Sequence, residues 1–364
     1  MYKYPVYQPS LSGNEKKYVN ECLDTSWISS KGKFVNMFEK SFAKHIGVDN
    51  AAGVSNGTVA IHLALVALGL GGGDEVIVPT FTYIASVNPI LQVGATPVFV
   101  DSDETTWQMS PEDIKKKITK RTKAIMVVHL YGHPCDMDEI MKIAKEHNLF
   151  VIEDCAEAIG TKYKGKHVGT FGDIGTFSFF GNKTITTGEG GMVVTNDPTL
   201  FDRLIHFKGQ GLAKYREYWH DTMGFNYRMT NIQAAIGLAQ LEQLETFLNK
   251  KRQIADWYKE FLTGLPVKLQ EEVVDVYHSY WMCSILVEKH QLREKLRESL
   301  KKEGIETRPT FYPIHTMPLY ADKFAKHPVA EDVASRGINL PSYPALSKED
   351  VQFICKKIKE FYAK

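Results

Sequence analysis

The sequence predicts an α/β fold, a mostly parallel sheet flanked by helices, followed by a smaller α+β unit. Two observations predict it. Between residues 51 and 194, short apolar runs alternate with stretches of good helix formers. Several of those runs lack strict polar alternation, as strands covered on both faces do. Beyond Asn231 the pattern changes to long helical stretches, which marks a second unit. The expected domains are 1–245, with an N-terminal arm, and 246–364.

The first helix of the α/β region is Val59-Ala-Ile-His-Leu-Ala-Leu-Val-Ala-Leu, which ends at a glycine run. Strands are expected at 75–79, 97–100, 124–129, 149–152, 175–180 and 191–195, with helices at 111–118 and 137–147 between them. Residues 232–261 read as one or two helices. An extended stretch (280–287), a charged helix (291–303), a proline-rich loop (308–318) and a last helix from about Ser347 complete the chain.

A chain of 364 residues is long enough for a sizeable core, and 43% hydrophobic with 24% charged residues is ordinary for a globular protein. The net charge of +1 gives no electrostatic case for nucleic acid or an anionic membrane. Five scattered cysteines without a C-x-x-C pair point to reduced thiols. The N-terminus lacks a signal-peptide core, and the apolar stretch 60–70 is too short to span a bilayer. The expected location is the cytoplasm.

The chemistry centres on Lys183, where an apolar strand meets the glycine-rich Gly188-Glu-Gly-Gly191. A lysine so placed is either a surface charge or the Schiff-base anchor of a carbonyl cofactor. Asp154 closes the apolar run Phe-Val-Ile-Glu-Asp. It reads as a helix N-cap or as the carboxylate that keeps a pyridine nitrogen protonated. Glu157 is either a glutamate of a first helical turn or a contact to the cofactor's ring oxygen.

Ser55-Asn-Gly57-Thr58 precedes a strong helix, so it is a plain cap or a phosphate site at a helix N-terminus. Ser178 adds a hydroxyl at a strand end. Tyr83 is a core aromatic or a ring that stacks on a flat cofactor. Asn226 and Arg228 have no evident role within one subunit. His129, His133 and Cys135 straddle a strand exit instead of sharing a helix face, which does not fit i,i+4 zinc ligation, so no metal is expected.

With Gly57-Thr58, Asp154-Cys-Ala-Glu157 and Ser178 followed by Lys183, the chain resembles the DegT-type sugar aminotransferases over nearly its whole length. These are pyridoxal-phosphate enzymes of the aspartate aminotransferase fold (PLP fold type I). The resemblance implies that Lys183 carries pyridoxal 5'-phosphate (PLP) as a Schiff base and moves protons. It implies that Asp154 pairs with the pyridine nitrogen, that Glu157 lies near the ring hydroxyl and that Tyr83 stacks on the ring. Gly57, Thr58 and Ser178 would hold the phosphate. Asn226 would reach the phosphate of a neighbouring subunit, which implies a homodimer with shared active sites. Lysine at position 183, where some members carry histidine and dehydrate, favours amino transfer.

Residues 208–211, 218–221, 224–233 and 307–315 are similar to those of members acting on a GDP-linked 4-keto sugar. That similarity implies transfer from L-glutamate to C4 of GDP-4-keto-6-deoxy-D-mannose, in the service of lipopolysaccharide O-antigen. The substrate contacts expected are Ser29, Tyr312 and His315. A UDP- or dTDP-linked ketose, or amination at C3, stays open as the alternative. A non-catalytic subunit of the same fold is the remote one, against which stand Lys183 and Asp154.

Overall fold

The structure, a computed structural model, describes residues 2–321 and 325–363. Helices α1 (Glu15–Asp24) and α2 (Lys33–Ile46) precede the first strand, β1 (Asn50–Val54). The strands that follow are β2 (Glu75–Pro79), β3 (Thr96–Val100), β4 (Thr122–Val128) and β5 (Phe150–Asp154). After the short β6 (Lys162–Tyr163) and β7 (Lys166–His167) come β8 (Ile174–Ser178) and β9 (Gly191–Thr195).

Seven of these strands form one sheet, in the order β1-β9-β8-β5-β4-β2-β3. Strands β3, β2, β4, β5 and β8 run parallel. Strand β9 lies antiparallel between β8 and β1. Parallel strands need a crossover, usually a helix, whereas an antiparallel pair is joined by a loop. That is why the β8–β9 connection, residues 179–190, is the loop that carries Lys183. The parallel strands all finish at one edge, the edge where open α/β sheets bind ligands, and Asp154 and Ser178 are the last residues of two of them.

Helix α3 (Gly57–Leu68) is apolar around most of its surface and lies buried over β8 and β9. Asn56 caps its start by accepting the Val59 N–H at 3.0 Å, and Gly69, with φ 78°, ends it. Further along the chain are α4 (Asn88–Gln92), α5 (Pro111–Lys117), α6 (Met137–His147) and α7 (Pro198–Lys208).

The long helical stretch divides at Gln243 into α8 (Asn231–Glu242) and α9 (Leu244–Leu262). Thr230 and Gln233 form a capping box that starts α8. Helix α9 joins two cores: Leu244, Phe247 and Leu248 pack with α2 and α8, while Ile254, Ala255, Tyr258 and Leu262 pack with the C-terminal strands.

Those strands are β10 (Val267–Leu269), the short β11 (Val276–Tyr277), β12 (Cys283–Val287), β13 (Arg308–Pro309) and β14 (Gly337–Leu340). Four of them form an antiparallel sheet in the order β10-β12-β14-β13, and β11 pairs with β6. Helices α10 (His290–Lys302), α11 (Pro328–Arg336) and α12 (Lys348–Tyr362) accompany this sheet, the last capped by Ser347 and Asp350. The N-terminal segment also joins it, with Tyr4 bridging to Ile305 and packing in the C-terminal core.

Candidate active site

The parallel strand ends bring Lys183, Asp154, Glu157, Gly57, Thr58 and Ser178 to one edge of the main sheet. Lys183 sits in a tight turn, its N–H bonded to the Phe180 carbonyl at 2.9 Å and its own carbonyl accepting from the Tyr7 hydroxyl. Its side chain is 13% exposed, and Nζ lies 3.6 Å from Glu157 Oε1 and 4.0 Å from the Trp281 ring centroid. The Trp281 indole N–H donates to the Asn182 carbonyl at 2.7 Å, so one tryptophan holds the turn and covers the amine.

No helix follows Asp154. Its Oδ1 accepts the Ala156 N–H at 3.0 Å, and its Oδ2 accepts the Ser86 hydroxyl at 2.7 Å. Ser86 is held in turn by Thr82 at 3.0 Å. A buried carboxylate is thereby fixed at a strand end by a hydroxyl and a backbone N–H, with no ion pair to it among the described residues.

Glu157 lies in the turn beyond, buried instead of on a helical surface. Its Oε2 accepts the Tyr131 N–H at 2.9 Å. Burial pushes its carboxyl up to about 7, with Lys183 and the Tyr131 N–H pulling down and Asp154 adding to the rise. A carboxyl that prefers to be neutral when folded binds its proton more tightly there than in the unfolded chain. Its cost is absent below its ordinary value of 4.5, grows as pH rises to about 7 and is constant above. Glu157→Gln is therefore expected to stabilise the ligand-free protein at pH 8, by on the order of 3 kcal/mol, and to leave it unchanged near pH 4. Thermal unfolding at the two pH values measures this, and an equal shift at both contradicts it.

Tyr131 aims its N–H at Glu157 from a left-handed backbone, φ 58° and ψ 9°. That conformation costs a non-glycine residue roughly 1–2 kcal/mol. Its ring is stacked on both Trp281 and Phe311, and its hydroxyl accepts the Phe311 N–H at 2.9 Å. Next to it, a Cβ on Gly132 would lie 2.9 Å from the Trp281 nitrogen, so glycine lets the two loops close. Tyr131, Trp281, Tyr7 and Ser86 had no place in the sequence reading. The one sequence signal that could have found any of them is the Tyr-Gly pair at a strand exit.

At the other side of Lys183, α3 starts against β8. A Cβ on Gly57 would fall 2.6 Å from Ser178 Cβ, so this approach requires glycine. The first-turn N–H groups of Gly57 and Thr58 have no acceptor within the helix. Together with the Ser178 hydroxyl they form a donor set suited to an anion.

Tyr83 is 57% exposed and lies 5.5 Å from the Phe311 ring. Asn226 is exposed. Within the chain its amide oxygen accepts from Arg228 Nε at 3.0 Å, so it does have a partner there. Ser29 is exposed, and its carbonyl receives the Asn231 N–H at 2.6 Å. Tyr312 is 51% exposed beside Arg293. His315 is different: it is buried, with Nδ1 on Thr80 at 2.7 Å and Nε2 on Glu331 at 3.2 Å. The structure thus leaves Ser29 and Tyr312 open to a ligand and engages both ring nitrogens of His315 internally.

His129, Glu153 and Cys155 cluster behind the sheet edge, their ligand atoms within 4.8 Å of one another. Glu153 accepts the Gly169, Phe171 and Gly172 N–H groups, each at 2.7 Å, and meets His129 Nε2 at 3.1 Å. Burial pushes its carboxyl up, but the His129 ring and these donors hold it below the ordinary range. The cluster ties β5 to the 169–172 loop. His133 is buried on the Pro134 carbonyl, whereas Cys135 adjoins the cluster, its N–H donating to His129 Nδ1 at 3.1 Å and its thiol to the Val128 carbonyl.

A lysine on the loop between two strands, a carboxylate at the neighbouring strand end and an anion site at a helix start define a fold type I aminotransferase. Residues 9–359 match the DegT/DnrJ/EryC1/StrS aminotransferase family, and the chain belongs to it. It is 67% identical over 359 residues to the GDP-perosamine synthase of Escherichia coli O157:H7, covering 99% of this chain and 98% of that one. It is 52% identical over 363 residues to the GDP-perosamine synthase of Vibrio cholerae, covering 98% and 99%. Among solved structures, the PLP-form of the putative sugar aminotransferase Spr1654 from Streptococcus pneumoniae superposes with a TM-score of 0.94 at 28% identity, covering 100% and 99%. Among the described residues no helix is long and apolar enough to cross a membrane.

Proposed function

We propose that this chain is a PLP-dependent aminotransferase that moves the amino group of L-glutamate to C4 of GDP-4-keto-6-deoxy-D-mannose, giving GDP-perosamine for O-antigen synthesis in the cytoplasm. The observation that carries the substrate is the full-length likeness to GDP-perosamine synthases from two organisms. The cofactor is supported by the chain's own donor set. Gly57, Thr58 and Ser178 form an anion cradle that a Cβ at residue 57 would fill, Asp154 is a buried acceptor for a protonated ring nitrogen, and Lys183 is the amine between them.

When bound, PLP supplies a carbonyl carbon that exchanges amines and a ring that takes up electrons. The protein supplies the rest. The Lys183 amine is the attachment point and, once free, carries the proton to and from the reacting carbon. Asp154, locked by Ser86 and Ala156, would hold the ring nitrogen protonated. Glu157 faces Lys183 and would lie near the ring hydroxyl, and Trp281 covers the amine from behind. Tyr83 would flank the ring, and Ser29 and Tyr312 would line the approach of the sugar nucleotide.

Asn226 adjoins a segment that leaves Leu212, Tyr215, Tyr218, Trp219 and Met223 exposed. Such a patch suits burial against a second copy, and Asn226 then reaches that copy's phosphate site. The assembly is a homodimer with shared sites, and a chain that sediments as a monomer contradicts it.

Gly57→Ala places a methyl group against Ser178, and we expect cofactor affinity to fall by about tenfold or more, for one displaced anion contact worth about 1.5–3 kcal/mol. Titrating the cofactor-free protein with PLP checks this. The substrate is tested by mass spectrometry on nucleotide-linked 4-keto and 3-keto sugars with glutamate. Amination of the GDP-linked 4-keto sugar is the expected result. Amination only of a UDP- or dTDP-linked ketose overturns the assignment.

A further inference from the structure

Lys251 is a charged residue in a core position. The buried stripe of α9 runs Leu244, Phe247, Leu248, Lys251, Ile254, Ala255, Tyr258 and Leu262, and every other member is apolar or aromatic. An amphipathic helix at this spacing normally places a leucine there. Lys251 has no exposed surface and, among the described residues, no ion pair. Its Nζ donates instead to two carbonyls, Ser342 at 2.8 Å and Trp281 at 3.2 Å, and lies 5.4 Å from the Tyr7 ring centroid. Burying an ammonium group without a carboxylate is costly. Burial holds this one down to about 8, with Cys283 acting in the opposite direction.

Two of the three groups it gathers also reach the Lys183 turn, and the third holds the N-terminal segment. Trp281 covers the Lys183 amine and holds the Asn182 carbonyl. Tyr7 donates its hydroxyl to the Lys183 carbonyl. Ser342 receives its backbone partner from the N-terminal segment, its N–H bonding Val6 at 3.2 Å. One ammonium group therefore ties α9, the 280–282 segment, the 341–342 segment and the N-terminal segment together directly behind the Lys183 turn.

We propose that Lys251 is a positioning residue for Lys183, acting through Trp281 and Tyr7. The inference rests on the reading of Lys183 as the cofactor-bearing lysine. A lysine serves here where leucine does not because its ammonium group donates to two carbonyls of separate segments, whereas an apolar side chain would pack beside them without fixing their direction. Displacing a reacting group by about 1 Å can cost on the order of a hundredfold in rate.

The test is Lys251→Met, which keeps the length and apolar stem, with Trp281→Phe and the double variant beside it. Lys251→Met is expected to fold with an unfolding temperature at or above that of the parent, since apolar replacement of a buried charge is often neutral or stabilising. Its kcat is expected to fall by about tenfold or more, with the KM for the sugar unchanged. Growth of the visible band when PLP is added to the cofactor-free protein is expected to slow by a similar factor, which a purely structural role would not change. The losses of Lys251→Met and Trp281→Phe are expected to be non-additive, because one acts through the other.

Parent-like kcat and band growth in a folded Lys251→Met overturn the inference, as does full additivity. If Lys251→Met does not fold, Trp281→Phe alone decides: parent-like band growth in it overturns the inference, and slowed growth supports it. A parent protein that forms no visible band with PLP fails at the cofactor assignment instead, which separates the two outcomes.

Discussion

Replacing Lys183 by alanine is expected to abolish turnover and the visible absorption that PLP gives on binding. No neighbour can take over. Among the described residues that face Lys183, Glu157 is a carboxyl and Trp281 an indole, and neither forms a bond to a carbonyl carbon. General acid–base catalysis by a placed amine is worth about 10²–10⁴-fold, and loss of the covalent attachment adds to that. Steady-state rates and absorption spectra measure both effects. Because Lys183 sits on a loop whose turn is held by Phe180, Tyr7 and Trp281, the alanine variant should fold as the parent does. A folded Lys183→Ala variant with parent-like turnover would sink the assignment.

Asp154→Asn is the second large effect. The substitution keeps the shape of the strand end, and the amide oxygen can still accept from Ser86 or Ala156. It removes the negative charge that keeps a ring nitrogen protonated, and with it the electron sink on which the proton shift depends. Loss of one such electrostatic contact in a buried site costs about 10²–10³-fold in kcat. The expected pattern is a large fall in kcat for both glutamate and sugar half-reactions, with the protein folded and PLP still bound. Single-turnover absorbance traces with glutamate alone separate the two half-reactions. Ser86→Ala should follow in the same direction with a smaller loss, since Asp154 keeps its charge but loses one of its two donors.

The main sheet and much of the site were legible because their signals are local. Strands β2, β3, β4, β5, β8 and β9 are short apolar runs between turn residues, and α6 falls on its periodic stretch Met137–His147. Lys183 and Asp154 stand where such runs stop, and Gly57 stands where a strong helix begins. Strands β1 and β14 were not legible: Asn-Ala-Ala-Gly-Val and Gly-Ile-Asn-Leu are too small or too polar to announce a strand, and pairing with β9 and β12 makes them.

The supporting shell was hidden for a different reason. Ser86 lies 68 residues from Asp154, and the Tyr7–Lys183 contact spans 176. Nothing in the neighbourhood of Tyr131, Trp281 or Lys251 reports that the folded chain brings them behind one loop. His315 shows the opposite case. A histidine in a proline-rich loop suggests a ligand contact, but the loop turns its ring inward onto Thr80 and Glu331.

Transfer of an amino group to the keto carbon of a GDP-linked sugar moves the nitrogen of glutamate into the product. The most direct measurement incubates the PLP-loaded protein with GDP-4-keto-6-deoxy-D-mannose and L-glutamate carrying an isotopically labelled amino nitrogen, and follows the label by mass spectrometry. The predicted result is a GDP-linked amino sugar bearing the label, formed together with 2-oxoglutarate. Production of 2-oxoglutarate with no label in the sugar, or label appearing only in a UDP- or dTDP-linked sugar offered in competition, would rule out this transfer.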